Sequence, residues 1–435
     1  MFRKMPLHAR IFIGMIIGIG CGVLVRSLNL SPDNVAKIAS YVKPIGDIFI
    51  NMILMMVIPL ILTALILGVS ELGDVSKLGR IGFKLFKYSI IVTSISVLIG
   101  VGSVMLIKPG ESLSVQERSV LVEQFKHKEI VAPKPKTFGE IVTSIVPKNP
   151  LEDMVRAFDP TYRGGGLLAV MFFALIVGIA VASVDQEKVR TFKSFLEGLY
   201  EIIMKVIGFG LKLAPLGVAA LLFGLTVNLG ISILGVVLKY VALVLCALAF
   251  QQFVVYSIIL KFFAKTSPAF FFGNIKDVMI TAFSTSSSNA TLPIAIQSTI
   301  HKLKLPKELT HFVLTIGSTG NQNGTALYEG ITLLFLAQCF GVDLSIGAQI
   351  MIVFISVLAG MGTAGVPGGS LPVIMVILVS IGVPKESIAL IYGVDRILDM
   401  SRTVLNVTGD ITAAVYINHQ EQKRLGRNLA TSEIN

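Results

Sequence analysis

Six stretches of this chain, near residues 10–28, 44–70, 83–107, 166–184, 197–226 and 230–262, are apolar over lengths able to cross a bilayer. The threshold is about 30 Å of hydrocarbon at about 1.5 Å of helical rise per residue. With no water to satisfy the backbone inside lipid, such runs fold as helices. Composition agrees: among 435 residues, 54% are hydrophobic and only 14% charged, with a mean hydropathy of +0.80. That is polytopic membrane usage, not that of a soluble globular chain. The net charge of +11 does not point to nucleic acid, because the Lys and Arg residues lie between apolar runs and form no stripe interleaved with aromatics.

Those basic residues read as topology signals. Arg3, Lys4 and Arg10 precede the first run, Lys77, Arg80, Lys84 and Lys87 separate the second from the third, and Lys188, Arg190 and Lys193 follow the fourth. By the positive-inside rule they mark the cytoplasmic side. Both termini are then expected in the cytoplasm, at the inner (cytoplasmic) membrane. The run from Ile11 to Val25 lacks a small-residue cleavage site and reads as the first spanning helix, not a leader. Residues from about Pro109 to Gly166 are Pro-rich and of mixed charge, and read as an external loop.

After about residue 265 the pattern changes. Residues 268–300 are apolar, turn polar over Ser284–Thr291, and become apolar again from Leu292. Residues 345–380 do the same around Gly360–Gly369. Backbone breaks at membrane depth are tolerated only where buried in protein or lining a watery cavity. Each span is therefore read as a re-entrant hairpin, the first entering from the cytoplasm and the second from outside, as in an inverted repeat. A polar-interrupted helix follows each: about 308–340, broken at Gly320–Thr325, and about 386–418. Isolated glycines for close helix packing are common in membranes, but they do not account for ten-residue tracts of Gly, Pro, Ser and Thr.

The last helix carries the chemistry. Asp395, Arg396, Asp399, Arg402, Thr403, Asn406 and Asp410 lie among Ile391, Val394, Ile397, Leu398, Val404, Leu405 and Val407. Ionisable groups in such surroundings are costly and usually functional, and the spacing of three or four places Asp399, Arg402/Thr403, Asn406 and Asp410 on one face. An amphipathic helix lying on the membrane surface is the plainer alternative. Nothing advertises covalent chemistry. Cys21, Cys246 and Cys339 show no CxxC spacing, the five histidines no HExxH, and neither GxSxG nor a P-loop occurs. An intramembrane enzyme would need a base beside Ser287 or Ser288, and no His is placed to serve. No cofactor is expected.

Four segments carry a resemblance: Ser286–Pro293, Asn321–Tyr328, Gly362–Gly368 and Asp399–Asp410. In order and separation they are similar to the signatures of the dicarboxylate/amino acid:cation symporters, the family of the glutamate transporters. Met55–Leu60 and Val146–Pro150 add weaker likeness in the N-terminal half. The resemblance implies an all-α fold of eight transmembrane helices plus two re-entrant helical hairpins in inverted repeats, assembled as a homotrimer. Membrane helices 1 and 2 (residues 1–80) with the external loop and helices 4 and 5 (110–228) would form a scaffold. Helix 3 (81–109) with helices 6 to 8 and both hairpins (229–418) would form a transport domain moving as an elevator, and residues 419–435 a cytoplasmic tail.

The resemblance also assigns an acidic amino acid as substrate. Arg402 would clamp its side-chain carboxylate, a bidentate task suited to guanidinium, and Asp399 would receive the α-ammonium. Thr325, Thr403 and Asn406 would add neutral hydrogen bonds, and backbone N–H groups near Ser287, Ser288, Val366 and Gly368 would seat the α-carboxylate. A C4-dicarboxylate is the alternative cargo, disfavoured because Asp399 would then face a carboxylate. An ion channel is the rival of another class, disfavoured because a paired anion and cation suit a zwitterion better than a selectivity ring. Where some family members carry an arginine in the first hairpin this chain has Ser286, while Arg396 supplies a positive charge from the last helix.

Cation coupling is where the chain departs from the family. Sodium-moving members read Asn-Met-Asp-Gly-Thr where this chain reads Asn321-Gln322-Asn323-Gly324-Thr325, and Ser89, Val92 and Thr93 fall at the partner positions of helix 3. Replacing a carboxylate by an amide and a threonine by a valine weakens a hard-cation site. A second sodium position, from Gly317, Asn321, Asn406 and Asp410, matches the family. A third, around Thr319, Gly360, Met361 and Thr363, depends on backbone carbonyls. The expectation is fewer coupled Na+ ions, with H+ or no ion in their place and Asp395, Asp399, Asp410 and Glu329 as buried carboxyls able to carry a proton.

Overall fold

A computed structural model describes residues 5, 7–28, 31–71, 79–124, 143–157, 159, 162, 164–230, 232–362, 370–424 and 426. Among them every regular element is helical. Thr363, Val366 and Gly368, expected at the second hairpin tip, lie outside the described residues.

Helix α1 (Leu7–Ser27) is followed by α2 (Pro32–Leu54) and α3 (Val57–Glu71). The single run expected near 44–70 is thus broken at Met55–Met56. Pro59 explains this, since it offers no N–H to bond Met55 and its ring crowds that carbonyl. Helix α4 (Gly79–Ile107) is straightforward. The external segment contains more order than its proline content suggests. A short helix, Val115–Gln124, is closed by a capping box in which Ser114 N donates to Glu117 at 2.9 Å and Glu117 N to the Ser114 hydroxyl at 3.2 Å.

Helices α5 (Leu167–Ser183) and α6 (Gln186–Leu229) follow. At 44 residues α6 is longer than its apolar run, beginning in the charged stretch capped by Asp185, and it carries Pro215. Its two halves meet at 47°, the kind of bend a helix-interior proline produces. Helix α1 lies along α6 with little between them: a Cβ at Gly14 would sit 2.1 Å from the Pro215 carbonyl oxygen, and one at Gly18 2.3 Å from that of Ala219. Helix α7 (Ser232–Phe250) continues to Phe263 through π-helical turns at Gln251–Val255 and Ile259–Phe263.

The interrupted half folds as helix pairs. Helix α8 (Lys276–Thr285) ends at Ser286, whose φ of 51° reverses the chain, and α9 (Ser288–His301) starts with the Ser287 side chain accepting from Ala290 N at 3.2 Å. Helix α10 (Lys307–Gly320) and α11 (Asn323–Phe340) are separated by Asn321 and Gln322, both out of helical geometry. Helices α12 (Ile346–Gly362) and α13 (Leu371–Ser380) flank the second tip, and α14 (Ala389–Arg424) runs unbroken for 36 residues.

By length and apolarity, four helical stretches among the described residues can cross a membrane: Ala9–Ser27, Asp33–Ser70, Arg80–Ser112 and Ile233–Phe263, with the bent α6 pair as a fifth. Helices α1, α2 and α3 gather on α6, with α5 against α3, while α4 and α7 to α13 pack around α11 and α14. Buried on nearly every side (Ala326, Leu327, Tyr328, Ile331, Phe335 and Leu336 are inaccessible), α11 is the central post of that second group.

Candidate functional site

The polar face of α14 is turned inward. Arg402 is 1% exposed, Asp399 8% and Asp395 5%, which excludes the surface-helix alternative for this segment. The Arg402 guanidinium donates from Nη1 to the Ser370 hydroxyl at 2.7 Å and from Nη2 to Asp399 Oδ1 at 2.8 Å and Asp395 Oδ1 at 3.1 Å. Its carbon stands 3.9 Å from the centre of the Tyr328 ring, a cation–π contact. The Tyr328 hydroxyl donates to the same Asp395 oxygen at 2.8 Å. Arg396 Nη1 lies 3.5 Å from the second oxygen of Asp399. One basic and two acidic groups, all desolvated, are thus held by α11, α13 and α14 in a compact cluster.

One turn along α14, Asn406 bridges to the α10–α11 break. Its Oδ1 accepts from Gly324 N at 2.7 Å, and its Nδ2 donates to Gln322 Oε1 and, at 3.2 Å, to the Thr325 hydroxyl. The break itself is pinned to α12, because Gln322 N donates to the Gly360 carbonyl at 3.0 Å. The Thr403 hydroxyl donates to its own helix at Asp399 O, 2.9 Å away. The first hairpin packs on the same helix, with α8 and α9 against α14 and Ser288 2% exposed.

The expected cation residues fall into two groups. Near Asp410, Asn321 Nδ2 donates to Asp410 Oδ1 at 2.8 Å while Asn321 Oδ1 is buried without a partner. Gly317 is close by: a Cβ there would meet Asp410 Oδ1 at 2.6 Å. The Asn406 side chain is directed to Gln322 and Thr325 instead, and Thr319 bonds its own helix at Ile316 O, 3.1 Å away. Met361 closes α12. In the other group both polar side-chain atoms of Asn323 have partners. Its Oδ1 accepts from the Thr93 hydroxyl at 2.6 Å, its Nδ2 donates to the Tyr256 hydroxyl at 3.1 Å, and that hydroxyl donates to Leu405 O at 3.2 Å. Val92 is buried, and Ser89 lines a narrow cleft with Gly68, Leu85 and Gly317. No group of three or more His, Cys, Asp or Glu side chains able to hold a metal occurs among the described residues.

Glu329, facing the interior from α11, is inaccessible, and neither carboxyl oxygen has a hydrogen-bond partner. Sequence reasoning did not assign Ser370, Tyr256 or Tyr328 to the site. Tyr328 stands inside one of the signature segments, but only the register of α11 against α14 puts its ring under Arg402.

A profile of the sodium:dicarboxylate symporter family matches residues 7–420. The proton/sodium-glutamate symport protein of Bacillus subtilis is 36% identical over 96% of this chain and 93% of its own length. For the proton/glutamate-aspartate symporter of Escherichia coli K12 the figures are 32%, 97% and 94%. An excitatory amino acid transporter of Caenorhabditis elegans is 30% identical over 97% and 89%.

Proposed function

The chain belongs to the sodium:dicarboxylate symporter family, a family of transporters and not of enzymes, and from that premise we propose that it carries L-aspartate or L-glutamate across the cytoplasmic membrane by an elevator mechanism. Eight membrane helices and two re-entrant hairpins do this, in a homotrimer with both termini in the cytoplasm. Helices α1, α2, α3, α5 and α6 form the scaffold, while α4 and α7 to α14 form the moving body. Support for the division comes from the way helix packing separates into those two groups.

The observation that carries the substrate assignment is the buried Arg402 held between Asp395, Asp399 and Ser370. A permanently charged fork with a carboxylate beside it offers one partner for a side-chain carboxylate and one for an α-ammonium. Thr325 and Asn406 sit one turn away to position the chain between them, and the two hairpin tips, with Ser287, Ser288, Val366 and Gly368, would close over the α-carboxylate.

Coupling is altered relative to sodium-dependent members. The unpartnered Asn321 oxygen beside Asp410 and Gly317 supports a retained cation position there. The Thr93–Asn323–Tyr256 set supports loss of the other, since both polar side-chain atoms of Asn323 already have a protein partner. Glu329, with no partner for either oxygen, is the foremost candidate to carry a proton, because an unpaired ionised carboxylate is very costly at such a place. The test is uptake of labelled aspartate and glutamate into proteoliposomes with sodium, proton and voltage gradients imposed separately. Uptake that persists without sodium and follows a proton gradient is expected, and a requirement for sodium at every position would overturn the coupling assignment. Arg402→Ala should abolish acidic substrate binding; unchanged affinity would move the site elsewhere.

A further inference from the structure

Ser370 stands at the start of α13, where a serine ordinarily accepts a hydrogen bond from a backbone N–H of the first helical turn. Its side chain makes no such bond, and its own backbone is already helical, with φ −82° and ψ −28°. The oxygen is turned to α14 instead, where it accepts from Arg402 Nη1 at 2.7 Å across 32 positions of sequence. Both partners are buried, Ser370 at 3% exposure and Arg402 at 1%. Arg402 does not depend on this bond for its place, because Asp395, Asp399 and the Tyr328 ring hold it as well. The serine is committed to the arginine and not to its own helix.

A hydroxyl that accepts still has a proton to give. The bond from Arg402 uses a lone pair of the oxygen, and among the described residues nothing accepts the Ser370 proton. A buried donor left unpaired is costly. Arg402 has donors only, one of which, Nε, is buried without a partner. Together the two side chains present N–H and O–H to any third group that meets them. We propose that Ser370 is a specificity residue for the far end of the substrate: its hydroxyl, fixed by Arg402, donates to the side-chain carboxylate seated on that arginine and so selects carboxylate over carboxamide. A carboxylate brings acceptors alone and satisfies both donors. A carboxamide sets an NH2 against one of them, and a site whose buried polar groups go unpaired with the wrong ligand discriminates strongly. The proposal rests on the acidic-substrate reading of the same pocket and adds to it a choice of aspartate over asparagine.

The experiment compares wild type with Ser370→Ala, Ser370→Thr and Ser370→Val in proteoliposomes, reading KM and kcat for labelled aspartate and the inhibition constant of asparagine. Loss of one hydrogen bond to a charged group should raise KM for aspartate about tenfold in Ser370→Ala, with kcat and the asparagine constant each held within about twofold. Thr and Val share a shape, so crowding by the added methyl cancels between them. Ser370→Thr should keep the wild-type ratio of the asparagine constant to the aspartate KM, and Ser370→Val should lower it about tenfold. A KM for aspartate that is unchanged or falls in Ser370→Ala overturns the proposal, because the hydroxyl is then idle or competes with the substrate for Arg402. Equal losses for aspartate and asparagine, or one ratio shared by Thr and Val, overturn it too, since that is what a packing role gives. Should the wild type neither take up aspartate nor bind it in calorimetry, the acidic-substrate reading fails first, which separates the two ideas.

Discussion

At the scale of single residues the site is set by which groups share Arg402. Its ring neighbour does two jobs that mutation can separate: the Tyr328 hydroxyl donates to Asp395, and the ring lies under the guanidinium. Tyr328→Phe keeps the second and loses the first. A hydrogen bond to a charged group is worth about 1.5–3 kcal/mol, so KM for aspartate should rise about tenfold or more. Tyr328→Leu also loses the cation–π contact and should cost about tenfold again; concentration-dependent uptake checks both, and equal KM values for Phe and Leu would remove the ring from the argument. Asn323 supports a second prediction. Asn323→Asp places a carboxylate between the Thr93 and Tyr256 hydroxyls, both able to donate to it. Uptake by that variant should become sodium-stimulated, measured as the ratio of rates with and without sodium, and a ratio unchanged from wild type would refute the account of the lost position. Asp399, Arg402, Thr403 and Asn406 were legible in the sequence because intervals of three and four define a helix face without tertiary information. The pairings of Arg402 with Ser370 and of Asn323 with Tyr256 were not, since each joins residues from helices whose relative register no local pattern encodes.

At the scale of elements, the turn between α8 and α9 and the α10–α11 break were readable because each interruption is a cluster of Ser, Gly, Asn or Thr that a spanning helix would not hold in lipid. The split of α2 from α3 was missed because Pro59 sits inside an uninterrupted apolar run, and hydropathy is blind to a lost backbone donor. The charged first turns of α6 were missed for the opposite reason: they are helical without being apolar. Where the start of α14 meets α1 and α6, packing is close. A Cβ at Gly393 would lie 2.6 Å from the Met15 sulfur on α1 and 3.3 Å from Leu222 on α6. The adjacent Tyr392 meets Phe49 of α2 edge-on at 4.8 Å. A leucine at 393 would push α14 against α1 and α6, and overpacking of this kind costs about 1–3 kcal/mol. Gly393→Leu should therefore slow uptake by about tenfold or more while aspartate binding, measured by calorimetry in detergent, stays near the wild-type value. Uptake at the wild-type rate would mean that this contact is not a sliding surface.

At the scale of the whole molecule, large apolar side chains such as Ile16, Leu24, Leu98, Leu238 and Phe253 are exposed, and the end of α14 is tied to the start of α4. There Glu421 accepts from Arg80 Nη2 and from Lys84 Nζ, both at 2.6 Å, so the first turn of α4 is joined to a residue 341 positions away. The hydrogen bond from Arg80, aided by Lys84, holds the Glu421 carboxyl down at about 2 against an ordinary 4.5, even though partial burial works the other way. A folded value below the unfolded one means that the tie contributes fully above about pH 4.5 and fades as pH falls through about 2. Arg80 is half exposed, so salt should screen part of the attraction. Glu421→Gln should accordingly lower the melting temperature in detergent at neutral pH and low salt by about 2 °C. The gap to wild type should narrow in about 1 M salt and close progressively as pH is taken below 4.5. A gap that stays constant from neutral pH down to about 3 would show that Glu421 acts through packing alone, because an ion pair must weaken as its carboxylate gains a proton.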